Sequence, residues 1–341
     1  MTDGRSARKP REDEPVRAAT RTDVAARAGV STAVVSYVIN NGPRPVAAAT
    51  RKRVLDAMHA LDYRPNAAAR ALRTRKATAV GLVVPDVSNT YFGSLARAIT
   101  NQAFDEGFAL LLGDSDNDPA RQAAQVESLV GRQVDGLIVV SLEPSSVDET
   151  RDVPTVYLDH RTQAGQASIL VDNSDGARQA VEHLLAHRKR TIAHIAGPEG
   201  APGADDRVNG WERTLRAADA TAGLAFLQRA EFSREGGYEA GRALLQDPDH
   251  RPDAVFVSSD VQALGLLRAA RELGVAVPDD LAVISFDGTD DAIYSDPPMT
   301  AIEQPVNEIA SAALAAVLRP GQRGPGRIPV RLVIRESCGT H

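Results

Sequence analysis

The sequence predicts an all-α head, a short linker able to turn helical, and an α/β body of two lobes built on doubly wound parallel sheets. Three observations carry this. The texture changes at Ala79: amphipathic helical stretches precede it, and short apolar runs alternating with helical stretches follow it. The charge is split. Residues 1–78 hold 16 Lys and Arg against 7 Asp and Glu, net +9, while the remainder carries −15 and the whole chain −6. The length, 341 residues, exceeds one ordinary domain. The α/β pattern after Ala79 is itself too long for a single doubly wound unit.

Composition excludes several classes. A hydrophobic content of 43% and a charged content of 25% suit a soluble chain with a sizeable core. Cys338 is the sole cysteine, which rules out an internal disulfide and a cysteine metal cluster. No apolar run approaches the roughly 20 residues of a membrane span. The N-terminus lacks the apolar segment of a signal peptide. A cytoplasmic protein is expected. A small basic head on an acidic body suits a DNA reader with a separate control domain. A merely solvated basic arm also gives such a total, but here the charge continues into patterned sequence.

Residues 1–19 are polar and mixed in charge, an expected disordered arm. Residues 20–64 read as three helices. The stretch from Thr22 to Asn40 gives two short ones joined by a tight turn. Thr22 is an N-cap candidate, with Asp23 at the positive end of the helix dipole. Gly29 can adopt the left-handed conformation that ends helix one, and Ser31 can cap helix two. Val35, Val38 and Ile39 share the expected buried face; Thr32, Ala33, Ser36 and Tyr37 share the other. A short, uncharged exposed face suits base edges, which is a helix-turn-helix reading. A plain pair of core helices would show the same residue types. The third helix, Thr50 to Leu61, has Val54, Leu55, Met58 and Leu61 as its apolar stripe. Its Arg51, Lys52 and Arg53 can reach phosphates. Asp62 takes the place of a terminating glycine, and Asp tolerates the left-handed region.

The linker spans 65–78. Pro65 can open a helix at its first turn, but the alanine-rich segment is too short to be helical alone. It is expected to form only when something packs against it. In the body, strands are expected at 79–84, 108–112, 136–140, 155–158, 168–171, 192–196, 254–258 and 281–286. Helices are expected from Asp118-Pro119, from Arg207 to Ala218, and from Ser259-Asp260 to Gly274. Ligands of such sheets sit at the carboxyl ends of strands.

Strand ends and neighbouring loops supply the ligand candidates. Asp287 ends an apolar strand, Asp172 ends another, and Ser259 and Asp260 follow a third. Arg207 offers forked donors to hydroxyl or carboxylate oxygens. Tyr91, Phe92 and Phe232 stand in expected cleft loops, where aromatic faces stack on a ring. Each has an ordinary alternative as a cap, surface cation or core residue. His183 and His187 are four apart, but no third ligand stands nearby and the H-E-x-x-H order is missing. They are expected to be solvated helix residues, with no metal and no cofactor.

Specific motifs now accumulate. D-V-A-x-x-A-G-V-S runs through the first two helices, followed by V-S-Y-V-I-N and, in the linker, Y-R-P-N-A-A-A-R-A-L-R-T. Further on stand G-L-V-V-P-D-V-S-N-T-Y-F, R-V-N-G-W and I-S-F-D-G-T-D, then P-P-M-T-A-I-E-Q-P-V. In these the chain resembles the LacI/GalR family of bacterial transcription regulators, from about residue 20 to the end. The resemblance implies a helix-turn-helix head, a hinge helix and a two-lobed, periplasmic-binding-protein-like effector domain. It further implies a homodimer on a near-palindromic double-stranded operator, and a small-molecule effector, a sugar or sugar derivative, between the lobes. The body would comprise 79–341, with one lobe at about 79–176 plus 305–316 and the other at about 177–302 plus 317–341.

On that resemblance Thr32, Ala33 and Tyr37 fall at base-reading positions, with Val34 beside them. Methyl groups suit a thymine methyl. Tyr37 departs from the Arg of many relatives, and a phenol cannot make the two-pronged contact with guanine. Ser31, Ser36, Asn40 and Arg51 are assigned to phosphates. Leu72 matches an intercalating leucine that kinks the duplex from the minor groove, with Asn66 and Ala69 in the same segment. Relatives use the Asp287 position for sugar hydroxyls. Several carry Asn where Ser259 stands, so the ligand can differ.

The expected function is a sequence-specific DNA-binding regulator, a repressor, controlled by that effector and not an enzyme. A ligand-independent DNA-binding regulator and a sugar-modifying enzyme on the same scaffold are the alternatives. A transport-type binding protein would need a signal peptide and would not carry residues 20–78.

Overall fold

The structure is a computed structural model that describes residues 19–40, 44–63, 78–140, 153–159, 167–319, 321 and 327–339; of Asn40 only the backbone is described. The chain divides into two compact units, Met1–Arg75 and Lys76–His341.

The head holds α1 (Arg21–Ala28), α2 (Thr32–Asn40) and α3 (Ala48–Ala60). Thr20, not Thr22, caps α1. Its hydroxyl accepts the Asp23 amide while the Asp23 carboxylate accepts the Thr20 amide at 2.8 Å, a reciprocal capping box. Gly29 closes the helix at φ 64°. Ser31 accepts the Val34 amide at 3.4 Å. Val24, Ala25, Ala28, Val35, Val38, Val54 and Ala57 form the buried centre, with Ile39, Met58, Leu61 and Tyr63 against it. The expected stripe on α3 is one residue out. Leu55 is 48% exposed, and Ala57 turns inward instead. Asp62 does adopt the left-handed region, at φ 43°.

The second unit has two sheets. The first lobe contains β1 (Ala79–Val84), β2 (Ala109–Asp114), β3 (Gly136–Val140), β4 (Thr155–Leu158) and β5 (Ala167–Ile169), all parallel, in the order β2-β1-β3-β4-β5. Every residue of β1 and β3 is buried, which is why they read as unbroken apolar runs. Helices α4 (Thr90–Asp105) and α5 (Pro119–Gly131) follow β1 and β2. Asp118 caps α5 ahead of its first-turn proline.

The other lobe contains β6 (Ile192–Ala196), β7 (Leu227–Arg229), β8 (Ala254–Val257), β9 (Ala282–Asp287), β10 (Thr300–Glu303) and β11 (Arg331–Val333), ordered β11-β10-β9-β8-β6-β7. Among the described residues only β11 is antiparallel to its neighbour. Here α6 (Asn173–Ala186) packs with α7 (Pro202–Ala217), and α8 (Arg234–Leu245) packs with α9 (Asp260–Glu272). A short α10 (Asp290–Ile293) follows β9. Helix α11 (Val306–Leu318) crosses back to pack on α4 and the first sheet.

Among the described residues the elements change lobe at three places: after Val171, after Glu303, and between α11 and β11. The first and third passages are tied. The Ile328 amide donates to Leu170 O at 2.8 Å, and the Asp172 amide donates to Ile328 O at 3.0 Å. Strands β10 and β11, which flank the second and third passages, pair directly. The three passages therefore run side by side.

Candidate functional site

In the head, Ser31, Thr32 and Ala33 are exposed at the start of α2, and Val34, Ser36 and Tyr37 are half-buried beside them. Arg51, Lys52 and Arg53 are exposed at the start of α3. The side chain of Asn40 and all of Asn66, Ala69 and Leu72 lie outside the described residues.

In the second unit one cavity lies between the lobes, at the carboxyl ends of their strands. Tyr91, Phe92, Arg207, Phe232, Ser259 and Asp287 all line it. Asn89, Asp159 and Gln304 add polar groups, and Val140, Leu158, Ile169, Val171 and Ile309 add an apolar wall. Its volume is about 50 Å³. Ligand pockets ordinarily hold roughly 300–1,000 Å³, so a ring-sized molecule enters only when the lobes part.

Each side chain is held by its element. Asn89 caps α4 by accepting the Tyr91 amide at 3.0 Å, which turns Tyr91 and Phe92 into the cavity. Arg207 lies in the second turn of α7, not at its start, because Pro202 opens the helix five residues earlier than expected. Its Nε donates to Asn173 Oδ1 at 2.9 Å and its Nη1 to Ser258 O at 2.6 Å. The guanidinium also lies 3.8 Å above the Phe286 ring. The Ser258 hydroxyl is 3.4 Å from buried His194. Burial pushes that imidazole down to about 3, so it is neutral. Phe232 fills space left by Gly197, where a Cβ would strike the ring.

Asp287 stands at φ 109°, a strained backbone for a residue with a side chain. Its carboxylate accepts Gln304 Nε2 at 2.8 Å. Burial pushes the group up to about 8 against the pull of Arg207, with Asp260 adding to the rise. Asp159 is likewise raised by burial, although Arg207 and Asn173 oppose this; Asn173 Nδ2 donates to it at 2.9 Å. The Tyr91 phenol is raised by burial and by Asp159 and Asp287. The arrangement is thus a pocket that sets two carboxyl groups and one guanidinium among aromatic side chains. It can accept hydrogens from several hydroxyls and stack a ring's apolar face.

Two expected ligand residues do not line the cavity. Asp172 caps α6, accepting the Asp175 amide at 3.3 Å, and lies 3.5 Å from Arg327. Asp260 is turned inward as a loop clamp, with the Ser285 hydroxyl at 2.5 Å, the Thr289 amide at 2.6 Å and the Thr289 hydroxyl at 2.8 Å. Sequence reasoning missed Asp159, although it follows the apolar run 155–158 as Asp172 follows 168–171. It also missed Gln304, which directly follows a strand, Thr300–Glu303, too short to read. His183 and His187 are half-buried rather than solvated; their ring centroids lie 4.8 Å apart with the planes tilted by 44°, and His183 Nε2 is 3.4 Å from Cys338 Sγ. Among the described residues no group of three or more His, Cys, Asp or Glu could hold a metal ion, and no helix is long and apolar enough to cross a membrane.

Residues 20–66 match the bacterial regulatory proteins of the lacI family, and residues 181–338 match the periplasmic binding protein-like domain. The ribose operon repressor of Halalkalibacterium halodurans is 32% identical over 93% of this chain and 96% of its own. The transcriptional repressor PurR of Klebsiella pneumoniae is 34% identical over 88% of this chain and 89% of its own. The chain belongs to the LacI family. A solved structure of the Lac repressor dimer bound to operator and the anti-inducer ONPF matches with a TM-score of 0.84 and 28% identity. The match covers 95% of this chain and 100% of that one. As a LacI-family protein it is a DNA-binding transcriptional regulator. Its basic head and acidic, cavity-bearing body are the two halves of that architecture.

Proposed function

We propose that this LacI-family regulator is a cytoplasmic repressor, binding a near-palindromic operator as a homodimer through α2 and the 65–78 linker. A sugar or sugar derivative held between the lobes sets its operator affinity. The observation that carries this is the cavity itself. Asp159, Asp287, Arg207, Tyr91, Phe92 and Phe232 all line it. Such a set suits a neutral polyhydroxylated ring better than an anion, because two carboxyl groups accompany one guanidinium whose Nε and Nη1 already hold Asn173 and Ser258. The relatives named above are repressors, which supports the sign of regulation. The cavity serves binding and not turnover, so bound molecules leave unchanged.

A thermal-shift screen of neutral sugars and nucleosides on the full chain, followed by operator titration with each hit, tests this. A hit is expected to change operator affinity at least tenfold and to be recovered intact. A hit that raises the melting temperature but leaves operator affinity unmoved would overturn the proposal. So would one that is consumed.

A further inference from the structure

Three polar side chains form a line across the cavity wall. Tyr91 stands in the first turn of α4 on one lobe, Gln304 on the second passage between lobes, and Asp287 at the end of β9 on the other. The phenol donates to Gln304 Oε1 at 3.0 Å, and Gln304 Nε2 donates to Asp287 Oδ1 at 2.8 Å. Gln304 is 3% exposed. Its backbone is fixed as well: its amide donates to Asp287 O at 3.0 Å, and its carbonyl accepts the Val306 amide at 2.9 Å. One motion remains to it. A half-turn of the carboxamide exchanges donor for acceptor while hardly moving a heavy atom.

Asp287 receives hydrogens from Gln304 Nε2 and from the backbone amide of Asp260. Both are donors, so a protonated Asp287 has no acceptor in that pair. It gains one if the carboxamide turns Oε1 toward it. Nε2 then faces the phenol oxygen, and the phenol hydrogen is released toward the cavity. We propose that Gln304 is a positioning residue of the cavity. Its carboxamide turns over with the protonation of Asp287, and so decides whether the Tyr91 hydroxyl donates to Gln304 or to a bound molecule. The proposal rests on reading the cavity as the effector site.

The surroundings support it. Arg207 from α7 favours the charged carboxylate, and Asp260 from α9 opposes it. Gln304 comes from the second passage and Tyr91 from α4, and Asp159 at the end of β4 acts on the same phenol. Burial outweighs Arg207 and holds Asp287 at about 8, so ordinary buffers populate both states. An effector that offers hydroxyl hydrogens to Asp287 selects the arrangement seen here. One that offers acceptors there selects the turned arrangement. Ring hydroxyls at Asp287 are therefore favoured as pH rises.

Infrared difference spectra of the full chain, taken with no ligand between about pH 6 and about pH 10, test this. The wild type is expected to lose a protonated-carboxyl band that Asp287→Asn lacks. A tyrosine band that Tyr91→Phe lacks should shift with the same midpoint. In Gln304→Met and Gln304→Leu the carboxyl band should still titrate while the tyrosine shift falls to the small part that the Asp287 charge produces through space. A tyrosine shift of undiminished size in those variants overturns the proposal, as does a wild type whose two bands have separate midpoints. The second criterion needs no variant of Gln304 to fold. Because no ligand is used, failure here leaves the effector reading standing, and failure of the effector screen leaves these bands unaffected.

Discussion

The Thr90 hydroxyl on one lobe donates to the Asp291 carboxylate on the other at 2.9 Å. Arg234 reaches the same oxygen at 3.2 Å, and the Thr289 hydroxyl lies 3.5 Å from that of Thr90. This polar tie lies in the chain between Asn89 and Tyr91, which line the cavity, and is made only when the lobes are together. Thr90→Val keeps the shape and removes the bond. A net loss of ~1 kcal/mol corresponds to a roughly fivefold shift toward parted lobes. Amide exchange in 89–92 and 287–291 should quicken by about that factor; unchanged protection there would remove the tie from the account of closure.

Arg207→Lys keeps the charge and loses the fork. An ammonium cannot hold Asn173 Oδ1 and Ser258 O in one plane while also lying over the Phe286 ring. Affinity for the effector that the screen identifies should fall at least tenfold, about 1.4 kcal/mol. Operator affinity without effector should stay within about twofold, roughly 0.4 kcal/mol. Calorimetry and fluorescence anisotropy on the same preparation read both quantities.

The raised carboxyl of Asp287 makes stability depend on pH in a definite direction. The unfolded group titrates at 3.8 and the folded one at about 8. Between these values the folded state holds the extra proton, so its contribution is full below 3.8 and is lost as pH rises toward 8. Relative to Asp287→Asn, the wild type should therefore lose melting temperature steadily across this window and then level off. A constant difference between the two proteins across the window would show that the group does not titrate there.

Thr20→Ala removes the hydroxyl half of the α1 capping box. A lost cap of this kind costs about 1 kcal/mol. The head should exchange its α1 and α2 amides about fivefold faster, while the second unit, whose melting is followed by the tryptophan signal of Trp211, should not change. Thr22→Ala should be nearly silent. Equal effects at the two positions would mean that the cap is misassigned.

Much of the architecture is legible in the residues because parallel strands buried on both faces must be continuously apolar. The runs at 79–84, 136–140, 155–158 and 192–196 coincide with strands β1, β3, β4 and β6. Strands β7, β10 and β11 have three or four residues each and carry polar groups, so no periodicity marks them. The Thr20 cap is legible, since Thr20 and Asp23 have capping-box spacing, but Thr22 competes two residues later. Candidate ligand residues were harder to separate. Asp159 and Asp172 both follow apolar runs; only the immediate start of α6 at Asn173 diverts Asp172 to a backbone amide. Asp260 looks like a strand-end ligand until Ser285 and Thr289, distant in sequence, close around it. Contacts of that kind belong to the tertiary fold and leave no local trace.

Three neighbouring chain passages between the lobes, two of them stitched by the Leu170–Ile328 and Asp172–Ile328 hydrogen bonds, also constrain the kinds of movement available. Like leaves on a door hung from aligned knuckles, the lobes can swing about one line far more readily than they can slide or twist. A ligand gripping any part of the cavity then arrests the same swing. Chemically different molecules can in this way produce one mechanical output, and changing what the protein senses requires new cavity side chains but no new machinery.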